Sequence, residues 1–264
     1  MIIINGKIYT DKRIIENGYL ITENDKIKSF GAMENIPEYD GDVIDAKGQM
    51  VIPGFIDQHI HGANGADHMD GEFDGLKNIV TFLPKEGTTS YLPTTMTQSK
   101  EAITVALESI VDYLENHNKP GETEMLGIHL EGPFISTKHV GAQNPKFVQK
   151  PTTELFDYFY EVAKGHIKLI TYAPEEAAED FTDYLCSLGV VPSSGHTDAN
   201  YDQIIAAMHD GLSNMTHFYN AMLPHSHRVA GAVTAGLMND QLKAELIVDG
   251  IHVNPETVHA TYKI

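Results

Sequence analysis

Apolar and polar positions along this chain repeat on two different periods, and the changes from one to the other mark its elements. Over residues 1 to 50 the runs are short and β-prone: Ile2 to Ile4, Lys7 to Tyr9, Gly18 to Thr22 and Lys26 to Phe30. Turn-forming pairs, Asn5-Gly6, Asn17-Gly18 and Asn24-Asp25, break them up, which predicts a small β-domain. From Val51 onward strand-like runs alternate with helical periodicity. Met50 to Ile56 is apolar, Leu76 to Lys85 reads as a helix ending near Gly87, and Thr88 to Pro93 reads as a strand. Glu101 to Glu115 places Ile103, Leu107, Ile110, Val111 and Leu114 on one helical face. Further helices are predicted at Glu154 to Lys164, Phe181 to Leu188, Tyr201 to Asp210 and Pro255 to Tyr262. The strands between them fall at Met125 to Glu131, Ile167 to Tyr172, Val190-Val191, Leu212 to Thr216 and Ala244 to Val248.

Seven predicted strands follow one another from Val51, alternating with helices. That alternation defines the α/β class with a parallel sheet. It predicts a (β/α)8-type TIM barrel over residues 51–264 with about seven of its eight units present, behind the β-domain of residues 1–50.

The ends of the predicted strands carry the candidate chemistry. Strand, histidine, helix, strand, histidine runs from Val190 to His217, with His196 and His217 at corresponding places. Strand C-termini of a parallel sheet converge on one rim, so two imidazoles there suggest a metal; each alone reads equally well as a polar strand-end cap. Asp57-x-His59-x-His61 follows the apolar run at Met50 to Ile56, and residues two apart on a strand share a face, so both histidines can ligate one ion. Asp57, on that face, can orient them, and Gly62 and Gly65 allow close backbone approach. Glu131 ends a strongly apolar strand, where a carboxylate is costly unless paired, hydrogen-bonded or bound to a metal. His129, two residues earlier, reads as a packed or supporting residue rather than a ligand. Arg228, beside His225 and His227, is either a solvated surface group or an anion contact, and His252 follows the last strand.

Composition narrows the class without naming the chemistry. The 264 residues are 42% hydrophobic and 21% charged, as in a soluble globular protein with a substantial core. A net charge of −19 argues against a nucleic-acid partner and means that an anionic substrate needs a local cationic pocket. The single Cys186 excludes an intramolecular disulfide and fits a reducing compartment. No apolar run approaches membrane-spanning length and the amino terminus lacks a signal-peptide layout, so the expected location is cytoplasmic.

The order of these groups, a His-x-His, then a Glu, then single histidines, resembles the metal-dependent amidohydrolase superfamily. The phrases PGFIDQHIHG, GIHLEGPF, SSGHTDA, THFYNAM and VDGIH, spread over the chain, resemble its N-acetylglucosamine-6-phosphate deacetylase family. The resemblance implies that Glu131, His196 and His217 hold a principal metal, zinc or iron, and that His59 and His61 help hold a second with Glu131 bridging. It implies substrate contacts at Ala142, Gln143, Asn220, Ala221 and Arg228, the arginine taking a phosphate, and His252 polarising the acetyl carbonyl. The implied reaction converts N-acetylglucosamine 6-phosphate to glucosamine 6-phosphate and acetate, in a homodimer when full length. The family's general acid/base, an aspartate ending an eighth strand, has no counterpart in these residues. That suggests a truncated chain, with the C-terminal strands of the small β-domain also missing. The alternatives are an inactive fragment that still binds metal or sugar phosphate, and another amidohydrolase acting on cyclic amides. The latter typically bridge their metals with a carboxylated lysine, where this chain has Glu131.

Overall fold

In the computed structural model, which describes residues 1–264, β1 (Ile2–Tyr9) and β2 (Ile14–Glu23) run straight through the Asn-Gly pairs predicted to break them. Asn5 adopts a left-handed φ of 54°, and the β1–β2 register shifts on either side of Gly6. The pair is thus a bulge inside a long strand rather than a turn. β3 (Lys26–Ala32) continues the antiparallel meander, while β4 (Val43–Asp45) and β5 (Met50–Val51) pair parallel to β1. Ile2, Tyr19 and Ile21 form the small core of this unit, Met1–Gly54. The apolar run Met50 to Ile56 is therefore divided. Its first two residues close the sheet, and after Pro53-Gly54 a second unit begins at Phe55 and extends to Ile264.

The second unit is a (β/α) barrel of TIM type. Its parallel strands are β6 (Phe55–Ile60), β9 (Thr88–Pro93) with the short β10 (Glu124–Met125) beside it, β11 (Ile128–Glu131), β12 (Ile167–Tyr172), β13 (Val191–Ser194), β14 (Asn214–Met215) and β15 (Lys243–Ala244). A small hairpin, β7 (Gly62–Ala63) and β8 (Ala66–Asp67), lies just after β6; a side chain on Gly62 would collide with the Ala66 carbonyl. Thr95 N–H donates to the His129 carbonyl at 3.1 Å, tying β9 to β11 across the break between the two hydrogen-bonded sheets. β11 and most of β12 are buried on both faces, as expected where helices cover a parallel sheet.

The helices are α1 (Phe73–Phe82), α2 (Lys100–Asn116), α3 (Thr153–Val162), α4 (Phe181–Ser187), α5 (Tyr201–His209), α6 (Ala232–Met238) and α7 (Pro255–Thr261). α2 shows why they form where they do. The Ser99 side chain accepts from the Ala102 N–H at its start, and Ile103, Leu107, Ile110 and Val111 are buried in one stripe. Each such side chain contributes about 1.5–3 kcal/mol of burial.

Two further elements depart from the sequence expectation. α6 was not predicted, because Gly236 weakens its helical pattern; in the fold a side chain there would strike Phe218 and Met215, so the glycine lets this helix lie against them. The strand expected over Ala244 to Val248 is reduced to Lys243–Ala244. It pairs only with β14, and without a partner on its other side the backbone after Ala244 is irregular and Val248 is 65% exposed.

Candidate metal centre

Four strand ends bring their polar side chains to one point. β6 carries His59 and ends just before His61, and β11 ends at Glu131. His196 follows β13 and His217 follows β14, both with left-handed φ, 48° and 33°. Such backbone costs of the order of 1–3 kcal/mol per residue in a non-glycine and persists only when the surroundings fix it.

Glu131 is 1% exposed and each of its oxygens faces a pair of imidazoles. Around Oε1, His196 Nε2 and His217 Nε2 each lie at 3.2 Å and stand 3.0 Å from one another. Around Oε2, His59 Nε2 lies at 3.4 Å, His61 Nε2 at 3.0 Å, and the two nitrogens are 3.4 Å apart. Donor atoms bound to one tetrahedral divalent ion at ~2.0–2.1 Å are separated by roughly 3.3 Å. Both triangles have that size, and they share a carboxylate. The donors present therefore fit two adjacent cations, with Glu131 between them.

The electrostatics agree with the geometry. Burial alone would raise the pKa of Glu131, but the four imidazoles outweigh it and hold the carboxyl well below its usual range. Burial also works against a charged His59, yet the carboxylates of Glu131 and Glu245 raise it to about 10. The pocket is thus built to be served by positive charge. The remaining ring nitrogens are mostly tethered: His196 Nδ1 lies 2.8 Å from the His139 carbonyl and His61 Nδ1 3.4 Å from that of Thr94. Donation from Nδ1 leaves Nε2 with the lone pair a metal needs. His217 Nδ1 is buried without a partner. Asp57 contributes by accepting the His59 backbone N–H at 3.0 Å.

Beneath the cluster lies a chain of hydroxyls. His129 packs edge-on against His59 with ring centroids 4.7 Å apart, and burial pushes its pKa down to about 3, so it is neutral. Its Nδ1 faces the Gln58 carbonyl at 3.0 Å, which only accepts, so the proton sits there. Nε2 must then accept from Thr171 Oγ1 at 2.7 Å, Thr171 from Thr216 Oγ1 at 2.7 Å, and Thr216 from Ser193 Oγ at 2.6 Å. The supporting role read for His129 from sequence is the one this geometry describes.

The cluster opens into a cavity of about 870 Å³, within the range of small-molecule sites. Ala142, Gln143, Asn220, Ala221 and His252 line it. The Gln143 side chain is engaged, with Nε2 donating to Glu131 Oε2 at 3.0 Å and Oε1 accepting from Thr97 N at 2.6 Å. His252 stands at the rim with its Nδ1 2.7 Å from Asp249 Oδ2. Arg228 is not brought to the cavity wall; it lies on an exposed loop with its Nε donating to His227 Nε2 at 3.1 Å. Glu245, which the sequence pattern does not single out, also lines the cavity, and its carboxylate reaches His59 Nδ1 at 3.0 Å.

The amidohydrolase family model matches residues 50–263, and the chain belongs to that family. Within it, the chain is similar to N-acetylglucosamine-6-phosphate deacetylases. That of Bacillus subtilis is 39% identical over 251 residues, covering 94% of this chain and 63% of the relative's length. A crystal structure of the Pasteurella multocida enzyme has a TM-score of 0.91 at 31% identity and covers 100% of this chain and 68% of that one. A variant of the Mycobacterium smegmatis enzyme in complex with N-acetyl-D-glucosamine-6-phosphate has a TM-score of 0.89 at 28% identity, covering 100% and 67%. The chain thus spans about three fifths of the length of its Bacillus subtilis relative.

Proposed function

We propose that the chain carries the metal centre of an N-acetylglucosamine-6-phosphate deacetylase, releasing acetate and glucosamine 6-phosphate. One observation carries this reading most: two donor triangles of metal-coordination size share Glu131 on the wall of a substrate-sized cavity. Glu131, His196 and His217 would hold a principal ion, zinc or iron, and His59 and His61 would hold a second together with Glu131. Such an ion, when bound, supplies Lewis acidity and lowers the pKa of water to about 7, offsetting the poor electrophilicity of an amide.

The chain's own residues then divide the work. Gln143 fixes the Glu131 carboxylate from the side. Asp249 holds the His252 ring through Nδ1, and His252 would polarise the acetyl carbonyl where charge develops. Ala142, Asn220 and Ala221 shape the wall around the sugar. Arg228 is the candidate for the phosphate by its chemistry, although the exposed loop that carries it lies off the cavity wall, with its Nε on His227. The bound sugar phosphate of the Mycobacterium smegmatis relative supports this substrate class.

The test is acetate release from N-acetylglucosamine 6-phosphate with zinc or iron(II) supplied, lost on chelation. Binding of metal and sugar phosphate without acetate release would replace the enzyme with a binding role. Hydrolysis of cyclic amides alone would move it elsewhere in the family.

A further inference from the structure

Glu245 is a largely buried carboxylate to which the reaction described above assigns no role. Its side chain is 13% exposed and every short contact it makes is to the metal-ligand strands. Oε1 accepts from Gln58 Nε2 at 2.8 Å. Oε2 lies 3.0 Å from His59 Nδ1 and 3.3 Å from the His217 backbone N–H. It thus sits behind His59, on the ring nitrogen turned away from Glu131.

Among the four clustered histidines, His59 differs in one respect. His61 and His196 turn Nδ1 to a backbone carbonyl and His217 has no partner there, whereas His59 turns Nδ1 to a carboxylate. A carboxylate accepting from Nδ1–H fixes the tautomer that leaves the Nε2 lone pair free, holds the ring in place, and makes the nitrogen a stronger donor. The contact also links two strands, β6 and β15, that are not hydrogen-bonded to each other.

We propose that Glu245 is a positioning residue for the second cation site, acting through His59 to set how tightly the His59–His61–Glu131 triangle binds its ion. The inference rests on the metal reading above. It separates the two ions, because the Glu131–His196–His217 triangle meets Glu245 only through one backbone N–H.

The experiment is equilibrium dialysis of the chain against buffered zinc, with bound metal counted by elemental analysis, for wild type, Glu245→Ala and Gln58→Leu. Glu245→Gln serves if the alanine variant does not fold, and thermal melting of metal-free samples checks folding. The expected result is two ions for wild type, with the Glu245 variant retaining the first unchanged and binding the second about 10–100-fold more weakly. Gln58→Leu removes the other half of the bridge and should leave both affinities near wild type. Equal loss in Gln58→Leu would make the bridge merely structural and overturn the proposal. So would a Glu245 variant that binds two ions as tightly as wild type, or a wild type that binds a single ion. A wild type that binds no metal would instead overturn the metal reading itself.

Discussion

His196 and His217 bring their Nε2 atoms to 3.0 Å of each other, and each stands 3.2 Å from the same oxygen of Glu131. With its Nδ1 on the His139 carbonyl, His196 turns an Nε2 lone pair to this point, where a cation would satisfy it together with Glu131. A ligand that binds only the folded state stabilises it by about 2.7 kcal/mol at a hundredfold excess over its dissociation constant. Zinc should therefore raise the melting temperature of the chain and a chelator should reverse the gain. Glu131→Gln, which removes the shared charge, should abolish the zinc-dependent shift, as differential scanning calorimetry would show.

Asp249 and His252 should behave as a unit separate from the metal. Removing one donor aimed at developing oxyanion charge typically costs about 10²–10³-fold in rate. His252→Asn should lose that much acetate release while its zinc content stays at the wild-type value. Asp249→Asn, which leaves the ring present but untethered, should lose less. Loss of zinc from either variant would show that the rim is part of the metal centre.

The hydroxyl chain has a direction, so breaking it at Thr171 leaves groups on both sides unpaired. Thr171→Val strands His129 Nε2 without a donor and Thr216 without its acceptor. Leaving a buried polar group unsatisfied costs about 1–3 kcal/mol. Urea unfolding of metal-free protein should report a loss of that order, and Thr171→Ser should recover most of it.

His68 gives a pH dependence whose sign is fixed by burial. It is completely buried, its Nε2 is 3.4 Å from the Tyr91 hydroxyl, and its Nδ1 has no partner. Burial pushes its pKa from 6.5 down to about 4. Between those values the unfolded chain binds the proton and the folded chain does not. The stability is complete above pH 6.5 and is lost as pH falls towards 4, by roughly 3 kcal/mol. The difference in unfolding free energy between wild type and His68→Gln, followed over that interval, isolates the effect from other titrating groups. A difference that does not change with pH would contradict it.

Much of this was legible in the sequence because it depends on period and strand-end position. The strands at Thr88 to Pro93 and Ile167 to Tyr172 have the bounds that apolar patterning predicts, and α2 exceeds its predicted span by one residue at each end. The pairing of His59 with His61 follows from strand alternation, and the approach of Glu131 to His196 and His217 follows from the convergence of parallel strands on one rim. The left-handed backbone at His196 and His217 was not legible, because neither residue type announces it. Glu245 is not legible for a related reason: the apolar pattern puts it near the start of a strand over Ala244 to Val248, whereas β15 ends at Ala244 and Glu245 follows it, within reach of His59. Arg228 illustrates the reverse: a chemistry suited to phosphate identifies a residue type, but where the loop carries it is decided by packing.

Anomalous diffraction from crystals of the zinc-soaked chain, recorded on both sides of the zinc absorption edge, addresses the shared-carboxylate centre directly. A peak should appear within bonding distance of Glu131 Oε1, His196 Nε2 and His217 Nε2, with a second beside Oε2, His59 and His61. A map with no peak at Glu131, or with zinc bound only elsewhere on the acidic surface, would contradict the account.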